Sequence, residues 1–122
     1  MKSKVHLSRS IVLAAAVILA AALPARAGDL AAAKAGFTTF CVKCHGDSGK
    51  GDGAAAATLK TKPRDFTSCA QMTPLTDDTL FKVIKDGGVA NSLSADMPAW
   101  KDGFEDPEIK DLVAYVRSFC KN

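Results

Sequence analysis

Apolar positions along this 122-residue chain recur with the period of a helix, and nowhere do they alternate as a half-buried strand would. Leu30, Ala33, Phe37, Phe40, Cys41 and Cys44 fall near one face. Asp29 can cap a first helix of about a dozen residues that carries them. Gly46 to Gly53 reads Gly-Asp-Ser-Gly-Lys-Gly-Asp-Gly, a glycine density that breaks helix and strand alike. Ala54 to Lys60 is a predicted short helix, and Pro63 holds Lys62 in extended backbone. Thr76 begins the next helix, with Asp77 and Asp78 in the first turn, where the macrodipole favours acids. Leu80, Phe81 and Ile84, with Val83 beside them, form its buried face; Lys82 and Lys85 point elsewhere, and Gly87 and Gly88 end it. After a loop from Val89 to Glu105, Asp106 and Pro107 are the expected cap and first residue of the last helix. Its stripe is Ile109, Leu112, Val113, Val116 and Phe119, with Tyr115 alongside. The pattern predicts an all-α domain.

Residues 1–27 read differently, as a secretory signal peptide. Lys2, Lys4 and Arg9 make a positive start, Ile11 to Leu23 is an apolar run of 13 residues, and Ala25-Arg26-Ala27 is a small-x-small cleavage site. The run is short of the roughly 20 residues that span a bilayer. Cleavage leaves one domain, 28–122, of 95 residues. It also changes the charge. The leader takes four of the 16 basic residues and no acid, leaving 12 against 13, a net charge of −1. Nothing in that balance suggests nucleic-acid binding, and no stable membrane insertion is expected once the leader is gone.

Cys41-Val42-Lys43-Cys44-His45 carries the chemistry. C-x-x-C-H is the attachment motif of a c-type haem. The two thiols can form thioether bonds to neighbouring positions on one rigid macrocycle, and the adjacent His can bind the iron. A bare C-x-x-C also occurs in zinc sites and in thioredoxin-like redox pairs. The first needs two more ligands, and the other cysteines, Cys69 and Cys120, stand far apart; the second belongs near a βαβ pattern, which is absent from the sequence. The glycine-rich loop fits neither a phosphate-binding loop nor an EF-hand. The reading is one haem c, covalently held by Cys41 and Cys44.

With His6 in the leader, His45 is the one histidine of 28–122, so bis-His ligation within the chain is excluded. The sixth iron position falls to methionine, to another donor such as lysine or the N-terminal amine, or stays open. Met97 lies in a loop between the last two helices and is stiffened by Pro98, which suits a ligand reaching over from the far side. Met72 precedes the Thr76 helix and reads as core filler. In an oxidising compartment Cys69 and Cys120 most simply form a disulfide.

These pieces together resemble the class I c-type cytochromes over essentially all of 28–122. The matching parts are the aromatic helix before Cys41-Val42-Lys43-Cys44-His45, the loop Gly46 to Gly53, the Leu80 to Gly88 segment, Met97-Pro98-Ala99-Trp100 and Leu112-Val113-Ala114-Tyr115-Val116. The resemblance implies a cytochrome c fold, about four or five short helices round one haem, with the first and last crossing near Ala33, Phe37, Leu112 and Tyr115. It implies Met97 as the ligand opposite His45, and a Pro63 carbonyl accepting a hydrogen bond from the His45 ring. Arg64 and Trp100 are candidates for the propionates. It further implies haem attachment outside the cytoplasmic membrane, hence a periplasmic protein. A His/Met site has no open position, and soft thioether sulfur favours ferrous iron. The expected function is one-electron transfer between donor and acceptor redox proteins by a monomer that is not an enzyme, either free or as the cytochrome partner of a dehydrogenase or oxidase. The alternative is a haem ligand-binding or peroxidatic protein with a labile sixth ligand.

Overall fold

Asp29 caps the first helix as expected, its Oδ1 accepting from the Ala32 N–H at 2.9 Å. The computed structural model describes residues 28–121, and the expected leader lies outside the described residues. Among these the chain is all-helical: α1 (Leu30–Phe40), α2 (Val42–His45), a 3-10 turn (Ala56–Thr58), α3 (Cys69–Met72), α4 (Asp77–Ala90) and α5 (Asp106–Arg117).

The first and last helices cross, and theirs is the most extensive helix pairing. Ala33 and Phe37 of α1 pack in one cluster with Leu112, Val113 and Val116 of α5, and Ile109 on the same stripe is buried too. The small Ala33 permits the approach, and Phe37 fills the space beside it. Its ring packs edge-on to Tyr115, with centroids 5.3 Å apart. Leu30 and Phe40, expected on the same buried face, are about half exposed at 51% and 48%. Leu30 sits at the open start of the helix. Phe40 shares the face of Phe37 by spacing, but it ends the helix, beyond the α5 crossing, and packs on Trp100 and Phe104 at 5.5 and 5.6 Å.

Thr76 caps α4, accepting from the Thr79 N–H at 3.1 Å. The start of α5 falls one residue earlier than the sequence suggests. Glu105, not Asp106, is the cap, because Glu105 and Glu108 exchange bonds as a capping box, with Pro107 inside the first turn. The predicted Ala54–Lys60 helix shrinks to the 3-10 turn, and α3 has no periodic signal that foretells it.

The far ends of α3, α4 and α5 are held by two devices. Cys69 and Cys120 form the expected disulfide across a separation of 51 residues. Closing such a loop contributes about 4 kcal/mol by the chain-entropy account. Beside it, Arg117 spreads its guanidinium over three acceptors: Met72 O at 2.7 Å, the Leu75 carbonyl, and Asp77 Oδ1 at 2.8 Å. This leaves Met72 sealed in the core, 1% exposed.

Candidate cofactor site

Between α1, α4, α5 and the loops lies a cavity of about 930 Å³ whose walls include Phe37, Leu80, Ile84, Leu112 and Val116. That volume lies near the upper end of the roughly 300–1,000 Å³ usual for small-molecule and cofactor sites. Cys41, Cys44, His45 and Met97 all line it, as do Pro63, Arg64 and Trp100. Met72 does not. The core packing that seals Met72 away is that of an ordinary apolar residue.

The C-x-x-C-H residues sit on a joint. Cys41 ends α1 and starts α2, bonding back to the Phe37 carbonyl at 2.9 Å. α2 is a single turn whose last carbonyls need partners. The glycine-rich loop supplies them: Gly51, Gly53 and Ala55 donate to His45, Cys44 and Lys43 at 2.8, 3.1 and 2.9 Å. Gly51 takes φ of 72° and packs so closely on the Pro63 and Arg64 backbone that no side chain fits. The loop therefore braces α2 and fixes where residues 63–66 lie relative to His45.

His45 is oriented by stacking. Its ring lies 4.6 Å from that of Phe66 at 17°, and Phe66 is itself buried. Burial holds the imidazole below its ordinary pKa, partly offset by the Arg64 backbone beside it. Nδ1 is buried without a hydrogen bond of normal geometry. The expected bond from the His45 ring to the Pro63 carbonyl is therefore not formed, and the backbone of the next residue, Arg64, lies near the ring. A neutral imidazole with an inward-facing ring suits metal ligation.

Cys41 does not have the lowered pKa of a dithiol-exchange thiol. Burial, then the neighbouring Cys44, pushes Cys41 up to about 11. Reactive C-x-x-C thiols are shifted down. Zinc ligation fares no better, because Cys69 and Cys120 are bonded to each other. Among the described residues no group of three or more His, Cys, Asp or Glu is placed to hold a metal.

Met97 reaches the cavity because α4 breaks. Gly87 has φ 78° and ψ 177°, which interrupts the helix. In an unbroken helix the Gly88 N–H would bond to Ile84; here it donates to Met97 O at 2.8 Å. The freed Ile84 and Lys85 carbonyls accept from Trp100 at 3.1 Å, and Lys85 also accepts from Lys101 at 3.1 Å. The Met97–Lys101 segment thus replaces the missing turn of helix. Sequence reasoning missed Phe66, which lies in an irregular segment without periodicity. It also passed over Asn91, the C-cap of α4, which stands three residues beyond the glycine pair that was expected to end the helix.

The chain belongs to the family described as cytochrome c oxidase, cbb3-type, subunit III, a c-type cytochrome domain whose model matches residues 28–116. It is similar in structure to the KustC0563 c-type cytochrome, with TM-score 0.60 and 23% identity, covering 73% of this chain and 98% of that one. It is also similar to a chain of the Kuenenia stuttgartiensis reducing HAO-like protein complex Kustc0457/Kustc0458, with TM-score 0.63 and 26% identity over 82% of this chain. It spans 48% of that second chain. No curated protein matches it. The protein is a small c-type cytochrome and its cofactor is a covalently bound haem c with its iron, which the apolar-walled cavity lined by Cys41, Cys44 and His45 fits. No described helix is long and apolar enough to cross a membrane.

Proposed function

We propose that this protein is a one-electron carrier between periplasmic redox proteins and not itself an enzyme. It works free or as the cytochrome partner of a dehydrogenase or oxidase. Cys41 and Cys44 would hold the haem through thioether bonds, and His45 and Met97 would supply nitrogen and sulfur donors to its iron. The observation that carries the reading is that His45 and Met97 line one cavity while Met72 is sealed outside it.

The cofactor supplies a reversible ferric–ferrous couple. The chain's own residues set its conditions. Phe66 fixes the plane of the His45 ring. The α4 break and the Met97–Lys101 segment hold the thioether donor in place. Ligands held this firmly move little as the charge on the metal changes, which favours electron transfer over substrate chemistry. Phe37, Leu80, Ile84, Leu112 and Val116 keep water off the site, and with the soft sulfur donor they favour the reduced state. Arg64 and Trp100 line the cavity and are offered as propionate partners. Export follows from the leader-like segment 1–27. A protein partner agrees with the second structural relative, which is a chain of a reducing HAO-like protein complex.

The test is the visible spectrum of the haem-loaded protein, oxidised and reduced, with and without carbon monoxide. A low-spin c-type spectrum unmoved by carbon monoxide is expected. Met97→Ala should open the site and bind carbon monoxide readily. Ready binding by the parent protein, or by Met72→Ala and not Met97→Ala, refutes the reading.

A further inference from the structure

We propose that Asn91 is a positioning residue for the sixth iron ligand. Its side-chain amide clamps the break in α4 on which the Met97 segment is built. The inference rests on the reading of Met97 as that ligand.

Asn91 Nδ2 donates to the Gly87 carbonyl at 2.7 Å and to the Lys82 carbonyl at 3.2 Å. Lys82 belongs to the regular part of α4, and Gly87 is the break itself. One planar group therefore spans the two and uses both of its hydrogens. Both neighbours are carbonyl oxygens, which only accept, so the nitrogen must face them. The Asn91 backbone joins the same knot. Its N–H donates to the Gly88 carbonyl at 3.0 Å, which Leu93 also reaches at 2.8 Å. The N–H of that same Gly88 holds Met97 O at 2.8 Å. The path from the amide to the ligand's own peptide therefore runs Gly87, Gly88, Met97, with no residue outside a bonded position. Asn91 lines the same cavity as Met97.

A ligand on a loop binds as firmly as the loop is ordered, because each binding event must otherwise supply the ordering. Asn91 supplies that order beforehand, and this role separates it from residues that merely stabilise the fold. Arg117 is the fitting comparison. It is equally well bonded, but to Met72, Leu75 and Asp77, none of them in the Met97 segment.

The experiment uses the haem-loaded protein and titrates the oxidised form with imidazole, an external ligand that competes for the sixth position. The reduction potential and the denaturant midpoint are measured on the same samples. Asn91→Asp keeps the shape, removes both donors and sets a negative charge against two carbonyl oxygens. It is expected to bind imidazole at least tenfold more tightly than the parent, to weaken the sulfur-to-iron charge-transfer band and to lower the potential. Arg117→Met is expected to lower the midpoint and leave imidazole affinity unchanged. If Asn91→Asp fails to retain haem, Asn91→Ser, which keeps one donor and adds no charge, should show a smaller shift in the same direction. Imidazole affinity unchanged in the Asn91 variants, or rising equally in Arg117→Met, overturns the proposal while leaving the Met97 reading intact. If Met97→Ala binds imidazole no more tightly than the parent, the ligand reading itself falls and takes this inference with it.

Discussion

A methyl group at residue 87 should cost this protein both stability and its closed iron site. The backbone there, φ 78° and ψ 177°, lies in a region that is essentially reserved for glycine. It costs any other residue about 1–3 kcal/mol. A Cβ built on Gly87 would lie 2.8 Å from the Ala99 nitrogen and 3.0 Å from both Met97 O and the Pro98 carbonyl carbon. All three are backbone atoms, so no rotamer change relieves the contact. Two adjustments are open to the chain. The Met97–Ala99 segment can back away, or residue 87 can return to helical angles. In the second case the Gly88 N–H swings towards Ile84 and releases Met97. Either way at least one backbone bond is strained or lost, worth about 1 kcal/mol. Gly87→Ala should therefore lower stability by about 2–4 kcal/mol, which for a domain of this size is roughly 10–20 °C in melting temperature. Gly103→Ala is the control, since a Cβ there would meet only Trp100 atoms at 3.7 and 3.8 Å, ordinary contact distances. Thermal unfolding by circular dichroism and carbon monoxide titration of the reduced protein read the two effects. If Gly87→Ala melts with Gly103→Ala and still excludes carbon monoxide, the break in α4 does not hold the Met97 segment and the reasoning is wrong.

Arg117→Met should cost about 2–3 kcal/mol, read as a lower urea midpoint. It strips charge-assisted bonds from two carbonyls, whereas the pair with Asp77, 76% exposed, adds little. The same variant should leave carbon monoxide binding unchanged. Acid should probe the irregular segment beside His45. Asp65 is held below its ordinary value of 3.8, first by the Thr67 hydroxyl and then by the Thr67 N–H. A carboxyl with a depressed folded-state pKa contributes stability above its unfolded value and loses it as pH falls through the folded one. Asp65→Asn should therefore flatten the acid arm of the stability profile, compared between about pH 6 and about pH 3. An unaltered acid arm would show that the Thr67 bonds do not persist in solution.

Much of this fold could be read locally. Asp29 and Thr76 cap the helices they were expected to cap, since a cap bonds two or three residues ahead and needs nothing distant. The stripe of Ile109, Leu112, Val113 and Val116 is buried as its spacing demands. Gly87 interrupts α4 where a doubled glycine said a helix should stop. The errors are also instructive. Glu105 takes the cap from Asp106 through a reciprocal bond with Glu108, a local pattern that was present and overlooked. Leu30 and Phe40 share the helical face of Phe37 by spacing, but the crossing with α5 covers only the middle of α1.

The sequence alone determined the chemistry: C-x-x-C-H names the cofactor, one histidine in 28–122 limits the ligand set, and helical periodicity sets the class of fold. Each rests on covalent spacing or on interactions within a few residues. The tertiary structure decided which methionine faces the cavity, that the Arg64 backbone lies near the His45 ring, and that Phe66 stacks on it. It also revealed that Arg117 reaches back 45 residues to Met72. These are contacts between segments with no regular pattern of their own. Their partners are fixed only when the helices dock and the broken end of α4 must find other groups for its backbone.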